Sequence, residues 1–247
     1  MVEQRKKTRF WEIDTLRGIA IIMMVEYHIF FDLVFFSIYP FNLHVLPVKI
    51  FLYSIGTIFL LLVGISLTIN RSKARFQMTR KEIHIKFILR GLKIFCLGLL
   101  ITVATWLYIG EGYIIFGILH CIGLCIILSI PFLRYRLLPL AIGIIMIVVG
   151  IMFSMITIDV PWLLWIGLKP TQFYTLDYFP LLPWLGVVLI GVYFGNLLYP
   201  DGERRYHLPD LSSQYGIRFL GFLGRHSLII YLVHQPIIVG ILTLLTM

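Results

Sequence analysis

The first apolar segment and its start carry five ionisable side chains, Asp14, Arg17, Glu26, His28 and Asp32, whose types suit acid–base chemistry. At about 100° per residue, helical geometry gathers all of them except Glu26 into one stripe of roughly 60°. His28 suits a general base near neutral pH, because the ordinary pKa of histidine is about 6.5. Asp32 follows one turn later and is placed to orient the imidazole and stabilise its protonated form. His28 and Asp32 are therefore candidate catalytic residues.

Three histidines lie at middle depth in apolar segments. His28 lies about 16 Å beyond Arg17, and His234 about 12 Å beyond His226, while His120 enters from the opposite side. An ionisable group within a membrane-spanning helix costs roughly 2.5–3.5 kcal/mol on insertion scales, so such groups usually line a functional site. The alternative is that each histidine hydrogen-bonds a neighbouring helix. We favour this structural role for His120 and a functional role for His28.

The composition is that of an integral membrane protein. The 247 residues are 60% hydrophobic and 13% charged, with a mean hydropathy of +0.94, whereas soluble domains are about 25% charged. We expect one domain over residues 1–247. The net charge of +9 is typical of cytoplasmic Lys and Arg in loops and does not indicate nucleic-acid binding. The three cysteines lie in apolar segments and predict neither a disulfide framework nor a metal site.

Seven apolar segments are long enough to cross about 30 Å of hydrocarbon. Their approximate bounds are 15–37, 48–70, 85–108, 114–133, 137–158, 180–199 and 226–246. The sequence therefore predicts an all-α, polytopic transmembrane helix bundle with about seven spanning helices.

The distribution of positive charge predicts the topology. All of the 21 Lys and Arg residues except Lys49 and Lys169 fall in residues 1–17, 71–93, 134–136 and 200–225. These basic regions alternate along the chain with connectors that are nearly free of Lys and Arg. The positive-inside rule then places the N-terminus in the cytoplasm and the C-terminus outside.

Five sequence pieces resemble one family of membrane enzymes. The first is the run Arg9, Glu12, Ile13, Asp14, Leu16, Arg17, Gly18 and Ala20. The others are FLLLVGISL at 59–67, FGILHCIGL at 116–124, PLLPWLGVVLIGVYFG at 180–195 and FLGRHSLIIYLVHQPI at 222–237. In this order they resemble the heparan-α-glucosaminide N-acetyltransferase family of transmembrane acyltransferases. The chain is shorter than the animal lysosomal enzyme, so we expect a microbial member in the prokaryotic cell membrane.

The resemblance implies transfer of an acetyl group from cytoplasmic acetyl-CoA to an amino-sugar or glycan acceptor. It also implies a catalytic histidine on or just after the first helix. His44 matches the family's loop position, whereas His28 resembles the first-helix histidine of related membrane O-acyltransferases. The two candidates stay open, as do N- against O-acetylation and self-association.

Coenzyme A carries several phosphate charges, which cytoplasmic cations would bind. The expected coenzyme-binding residues are Asp14, Arg17, Arg71, Arg75, Arg90, Arg225 and His234. For the basic loop, topology determination alone is the competing explanation. Asp14 and Arg17, spaced i, i+3, have a structural role as an equal alternative.

Two other functional classes compete with an enzyme. A transporter or flippase would use the midplane His and Asp residues to relay protons or bind cargo. Transporters often contain inverted repeats, and no convincing internal repeat is evident in this sequence. The third class is a non-catalytic partner subunit.

Overall fold

The computed structural model describes residues 9–43 and 45–246, and this part of the chain forms eight α-helices. They are α1 (Trp11–Phe35), α2 (Leu46–Ala74), α3 (Arg80–Ile109), α4 (Ile118–Leu128), α5 (Leu138–Ser154), α6 (Leu181–Leu198), α7 (Tyr215–Arg225) and α8 (Ser227–Thr246). Short 3₁₀ helices occupy Ile130–Arg134, Pro161–Leu163 and Pro200–Gly202. The predicted all-α class is confirmed.

Five helices, α1, α2, α3, α6 and α8, are long and apolar enough to cross a membrane. α4 and α5 are shorter, with 11 and 17 residues. At 1.5 Å per residue they rise about 16 and 25 Å, against roughly 30 Å of hydrocarbon. Each of the seven predicted segments overlaps one of these seven helices, so the expected polytopic bundle is confirmed in outline. The chain is an integral membrane protein.

The fourth segment begins later than the sequence suggests. Its expected start was residue 114, but α4 begins at Ile118 because the preceding residues are extended. Phe116 pairs with the loop before α6, where the Phe179 N–H donates to the Phe116 carbonyl at 3.0 Å. Gly110 and Gly112, with φ of 77° and 83°, turn the chain between α3 and this extended piece. Left-handed backbone of this kind favours glycine.

α7 is a helix that the sequence did not predict. Gly221 and Gly224 are buried on one of its faces, whereas Tyr215, Phe219 and Phe222 are exposed by 87%, 51% and 51%. With only 11 residues, its pattern was too short to distinguish from a polar connector. Its formation depends on packing more than on intrinsic propensity.

The described chain divides into two compact units. The first joins the chain up to Phe59 with the chain from Leu208 onward. Its buried core contains Ile21, Met24 and Ile55, against which aromatic and aliphatic side chains of α1, α2, α7 and α8 pack. α7 lies directly on α1, because a Cβ added at Gly224 would meet the Asp14 carbonyl oxygen.

The second unit comprises Leu60–His207. Its core gathers apolar residues of α2, α3, α4 and α6, together with the 3₁₀ helix after α4, and includes Leu67, Phe87, Ile126 and Val192. Helices approach closely at glycines, as is common in membranes. A Cβ added at Gly91 of α3 would lie 2.7 Å from the Gly123 carbonyl oxygen of α4.

α3 has a clear start signal. The Thr79 hydroxyl accepts the Glu82 N–H at 3.3 Å, and the Glu82 carboxylate accepts the Thr79 N–H at 2.7 Å. This reciprocal capping box satisfies two backbone donors that a helix start otherwise leaves unpaired.

Candidate active site

His28 lies on the α1 face that turns towards α8, and its tautomer is set by the backbone. Nδ1 lies 2.8 Å from the Met24 carbonyl oxygen. A carbonyl can only accept, so Nδ1 carries the hydrogen and Nε2 keeps its lone pair. His28 is therefore arranged as a proton acceptor at Nε2.

His234 of α8 repeats this arrangement beside His28. Its Nδ1 donates to the Tyr231 carbonyl at 2.7 Å. The residue is 7% exposed, and its Nε2 is buried without a hydrogen-bond partner among the described residues. The rings of His28 and His234 meet edge to face, with centroids 4.7 Å apart and planes at 76°. The first unit thus holds two adjacent imidazoles of the same tautomer.

Asp32 has a different partner from the one the sequence suggested. Its carboxylate is 2% exposed and accepts the Gln235 amide at 2.8 and 3.0 Å through its two oxygens. The bond to Met24 occupies His28 Nδ1, the nitrogen that an orienting carboxylate would take. Asp32 therefore links α1 to α8 and does not orient His28 directly.

The Gln235 side chain was missed in the sequence. Its amide oxygen is buried and has no hydrogen-bond partner in the described part of the chain. Together with Nε2 of His234, it presents a second unsatisfied acceptor from consecutive residues of α8. A buried acceptor of this kind is costly unless a ligand or water supplies a donor. The only signal in the sequence was the position of Gln235 beside His234 in the last apolar segment.

Asp14 and Arg17 form a local ion pair near the start of α1. Arg17 donates to the Asp14 carboxylate at 3.3 Å, and Asp14 is buried. The pair links side chains one turn apart on the same helix. The expected structural role is thus visible in the contacts, whereas coenzyme binding by these residues stays a prediction.

A cavity of about 600 Å³ in the second unit collects positive charge. Its walls carry Arg71, Arg75, Arg80, Arg134 and His84, together with Met78, Ile83, Ile88, Ile127, Ile130 and Pro131. Two of the guanidinium groups are held within the unit. Arg71 donates to the Leu133 carbonyl at 3.1 Å, and Arg75 pairs with Asp201. Guanidinium groups are well suited to phosphate recognition.

The structure brings together only some of the expected coenzyme-binding residues. Arg71 and Arg75 line the cavity, Arg90 lies outside its lining, and Arg225 is exposed at the end of α7 in the first unit. Arg134 and His84 were missed as site residues, because Arg134 lies 63 positions after Arg71 and its short basic loop indicated topology alone. His44 lies outside the described residues.

His120 and Asp177 both stabilise the start of α4. The Gly117 N–H donates to Nδ1 of His120 at 3.3 Å, and Nε2 of His120 lies 3.5 Å from the Thr102 hydroxyl. Both ring nitrogens are thus occupied, in contrast to His28 and His234. The Asp177 carboxylate accepts the Ile118 N–H at 3.1 Å. Burial raises the pKa of Asp177 to about 6, against a smaller opposing effect of this hydrogen bond.

Comparison with known proteins identifies the family. The family model described as heparan-alpha-glucosaminide N-acetyltransferase, catalytic, matches residues 9–236. No curated protein and no solved structure matches the chain. The matched range includes α1 with His28 and Asp32, the basic residues after α2, and α8 up to Pro236. Because the match covers nearly the whole chain, the protein belongs to the heparan-alpha-glucosaminide N-acetyltransferase family of membrane acetyltransferases.

Proposed function

We propose that the protein transfers an acetyl group from cytoplasmic acetyl-CoA to an amino-sugar or glycan acceptor, with His28 as general base. The observation that carries the proposal is the tautomer of His28. Its Nδ1–H is engaged by the Met24 carbonyl, which leaves the Nε2 lone pair for a substrate proton. Family membership supplies the reaction class. The bilayer we propose is the prokaryotic cell membrane.

In the proposed reaction, Nε2 of His28 takes the proton of the acceptor's amine or hydroxyl group. The nitrogen or oxygen of that group forms a bond to the acetyl carbonyl carbon, and the carbon–sulfur bond of the thioester breaks. The proton then passes to the departing thiolate sulfur, so coenzyme A leaves as a free thiol. His44 is the alternative base, and its support is the resemblance of its loop position.

For Asp32 we propose a role in placing the second helix of the site. Its two hydrogen bonds to Gln235 hold this part of α8 against α1, next to His234. A buried carboxylate with two such bonds is a strong positional restraint. Asp32 therefore acts on the geometry of the histidine pair through α8.

For the coenzyme we propose that the arginine-lined cavity binds phosphate groups. Arg71 and Arg75 belong to the expected set, and Arg80, Arg134 and His84 add further positive or titratable groups. Apolar wall residues such as Ile127 provide contact for the less polar part of the coenzyme. Arg17 is already paired with Asp14, so we assign phosphate contact first to the cavity.

The test of catalysis compares three histidines in purified protein supplied with radiolabelled acetyl-CoA and glucosamine. His28→Asn keeps a side-chain N–H for the Met24 carbonyl but removes the Nε2 base. A general base contributes roughly 10²–10⁴-fold, so this variant should lose transfer by that factor while binding coenzyme within a few-fold. His44→Ala tests the alternative base in the same way. His120→Ala, the control, should lower thermal stability and spare transfer.

Several outcomes would contradict the proposal. Near wild-type transfer by both His28→Asn and His44→Ala would remove the histidine assignment. Coenzyme binding without transfer to any amino sugar or glycan tested would favour a transporter or a non-catalytic subunit over an acetyltransferase.

The coenzyme site is tested separately by calorimetric titration with coenzyme A. Arg80→Gln removes one cavity cation, and Arg90→Gln removes a cation of the same helix that lies outside the cavity lining. A charge-assisted hydrogen bond contributes roughly 1.5–3 kcal/mol, so Arg80→Gln should weaken binding about 10- to 100-fold. Arg90→Gln should change it little. Equal affinities for the two variants would assign the cavity arginines to topology alone.

A further inference from the structure

We propose that His234 is a positioning residue that shares the proton taken by His28, so that the two imidazoles act as one base. The proposal rests on the proposed function, since it assigns the proton of that reaction. It adds a residue of α8 to a site that the sequence centred on α1.

The same kind of hydrogen bond, from Nδ1 to a backbone carbonyl, orients both rings. Each Nδ1–H is occupied by a backbone carbonyl of its own helix, at 2.8 Å for His28 and 2.7 Å for His234. Each Nε2 therefore keeps its lone pair. A centroid separation of 4.7 Å puts the rings in van der Waals contact, where two positive charges would repel strongly in a medium of low dielectric. The pair is therefore suited to holding one proton rather than two.

A buried ring nitrogen without a partner distinguishes His234 from the other histidines with described contacts. Nε2 of His234 is buried and unsatisfied within the described chain, whereas both nitrogens of His120 have partners. His226 makes the same kind of Nδ1 bond, to the Phe222 carbonyl at 2.9 Å, but it is exposed to solvent. An unsatisfied buried acceptor next to the proposed base is explained if it receives the proton that the base takes up.

The surroundings of the pair contain few groups that titrate near neutral pH. Tyr27 meets the His28 ring and Tyr231 the His234 ring, each with centroids 5.6 Å apart. Asp32 is held by Gln235. The α2 residues packed on this core are Phe51, Ile55 and Phe59, and α7 contributes Leu223, all of them uncharged. On these helices Glu26, Arg225 and His226 are exposed, and Asp14 pairs with Arg17. Asp32 is the one carboxyl group beside the pair within the described residues.

The proton balance of the reaction includes both rings. The proton leaves the acceptor's nitrogen or oxygen as that atom bonds to the acetyl carbon, and it first reaches Nε2 of His28. The pair holds it while the carbon–sulfur bond breaks, and it then returns to the thiolate sulfur. Both imidazoles end neutral, and no electrons are exchanged with another molecule.

The kinetic test uses His234→Asn, which keeps a side-chain N–H for the Tyr231 carbonyl and removes Nε2. His226→Asn is the matched control, because it makes the same change at an exposed histidine just before the same helix. Groups that orient metal-bound histidines typically cost about 10- to 100-fold when changed, and we expect a loss of transfer of the same order for His234→Asn. The acid limb of the pH–rate profile should keep its one-proton slope and move to lower pH, because His28 loses the ring that shares its proton. The control should keep the wild-type rate and acid limb, and a wild-type profile in His234→Asn would overturn the proposal.

A second measurement needs no acetyl transfer and separates this proposal from the proposed function. In ¹⁵N-histidine-labelled wild-type protein without acyl donor, both rings should show the Nδ1–H tautomer and should titrate together as one coupled pair. In His234→Asn, His28 should titrate as a single independent site, whereas His226→Asn should leave the coupling intact. Independent titration of His28 in the wild-type protein would overturn proton sharing even if the enzyme is active. Coupled titration in a protein that transfers no acetyl group would retain the pair and reject the proposed function.

Discussion

Asp177 shows how one carboxyl group links a loop to the start of a helix. It accepts the Ile118 N–H, while burial raises its pKa from an ordinary value of 3.8 to about 6. The folded protein therefore binds this proton more tightly than the unfolded chain does. The resulting stabilisation is complete below about pH 4 and is lost as the pH rises through about 6.

We predict that acidification from pH 7 to pH 5 stabilises the wild-type protein through Asp177. A pKa difference of this size corresponds to roughly 1–3 kcal/mol. Asp177→Asn keeps an acceptor for Ile118 but cannot titrate, so its melting temperature should rise less over the same interval. Thermal unfolding in detergent measures both. Asp159→Asn is the control, because hydrogen bonds from Thr171 lower the pKa of that exposed carboxyl, and it should preserve the wild-type response between pH 5 and 7. Parallel responses of the wild type and Asp177→Asn would contradict the assignment.

At the scale of the element, α7 packs closely against α1 because both helices have glycine at the contact. Gly18 of α1 meets the Leu220 backbone, and Gly224 of α7 meets the Asp14 carbonyl, so the two helices touch along their main chains. Such close approach gains dispersion contacts that larger residues would prevent. α7 thereby covers the part of α1 that carries the Asp14–Arg17 pair.

We predict that Gly224→Ala destabilises the protein although alanine is the better helix former. The added methyl group would overlap the Asp14 carbonyl, and overpacking of this kind costs about 1–3 kcal/mol. Gly216→Ala is the matched control on the same helix, since nothing lies within 4 Å of its added Cβ. It should be neutral or stabilising by up to roughly 1 kcal/mol. Equal melting temperatures for the two variants would show that α7 does not depend on this contact.

At the scale of the whole molecule, loops that the charge pattern assigns to one side of the membrane also meet in the structure. Arg71, Arg80 and Arg134, from two basic regions, line one cavity. On the other set of loops, the Leu176 N–H donates to the Gly112 carbonyl at 3.0 Å. This pairing agrees with the alternation on which the topology is based, and it is independent of the charge count.

We predict from the charge pattern that Phe76 faces the cytoplasm and Tyr174 the outside. Both side chains are exposed, by 62% and 67%, so Phe76→Cys and Tyr174→Cys are matched labelling sites in a chain whose three native cysteines have been replaced. An impermeant thiol reagent applied to intact cells should label position 174, and it should label position 76 only after permeabilisation. Labelling of position 76 in intact cells would show that the predicted topology is wrong.

The prediction of a single domain over residues 1–247 stays untested, although the family match runs through both compact units.

The sequence by itself determined the membrane class, the apolar helices and the residue types of the site. These properties are local, because hydropathy over about 20 residues and a period of 3.6 follow from neighbouring positions alone. The stripe that carries His28 and Asp32 was visible in this way. The predicted boundaries failed where tertiary contacts compete with local preference. Phe116, for example, bonds to the loop before α6, and α4 starts after it.

Only the tertiary structure decided which side chains become partners. Asp32 bonds to Gln235, 203 positions away, and no spacing rule predicts a pair at that separation. The same holds for His28 beside His234, for the cavity that joins Arg134 to Arg71, and for α7 on the glycines of its interface. Helix periodicity fixes the face on which a residue lies, but it does not specify the neighbouring helix that this face contacts. The Nδ1–H tautomers of the histidine pair follow from backbone bonds within each helix, and the adjacency of the two rings follows from the packing of α1 against α8.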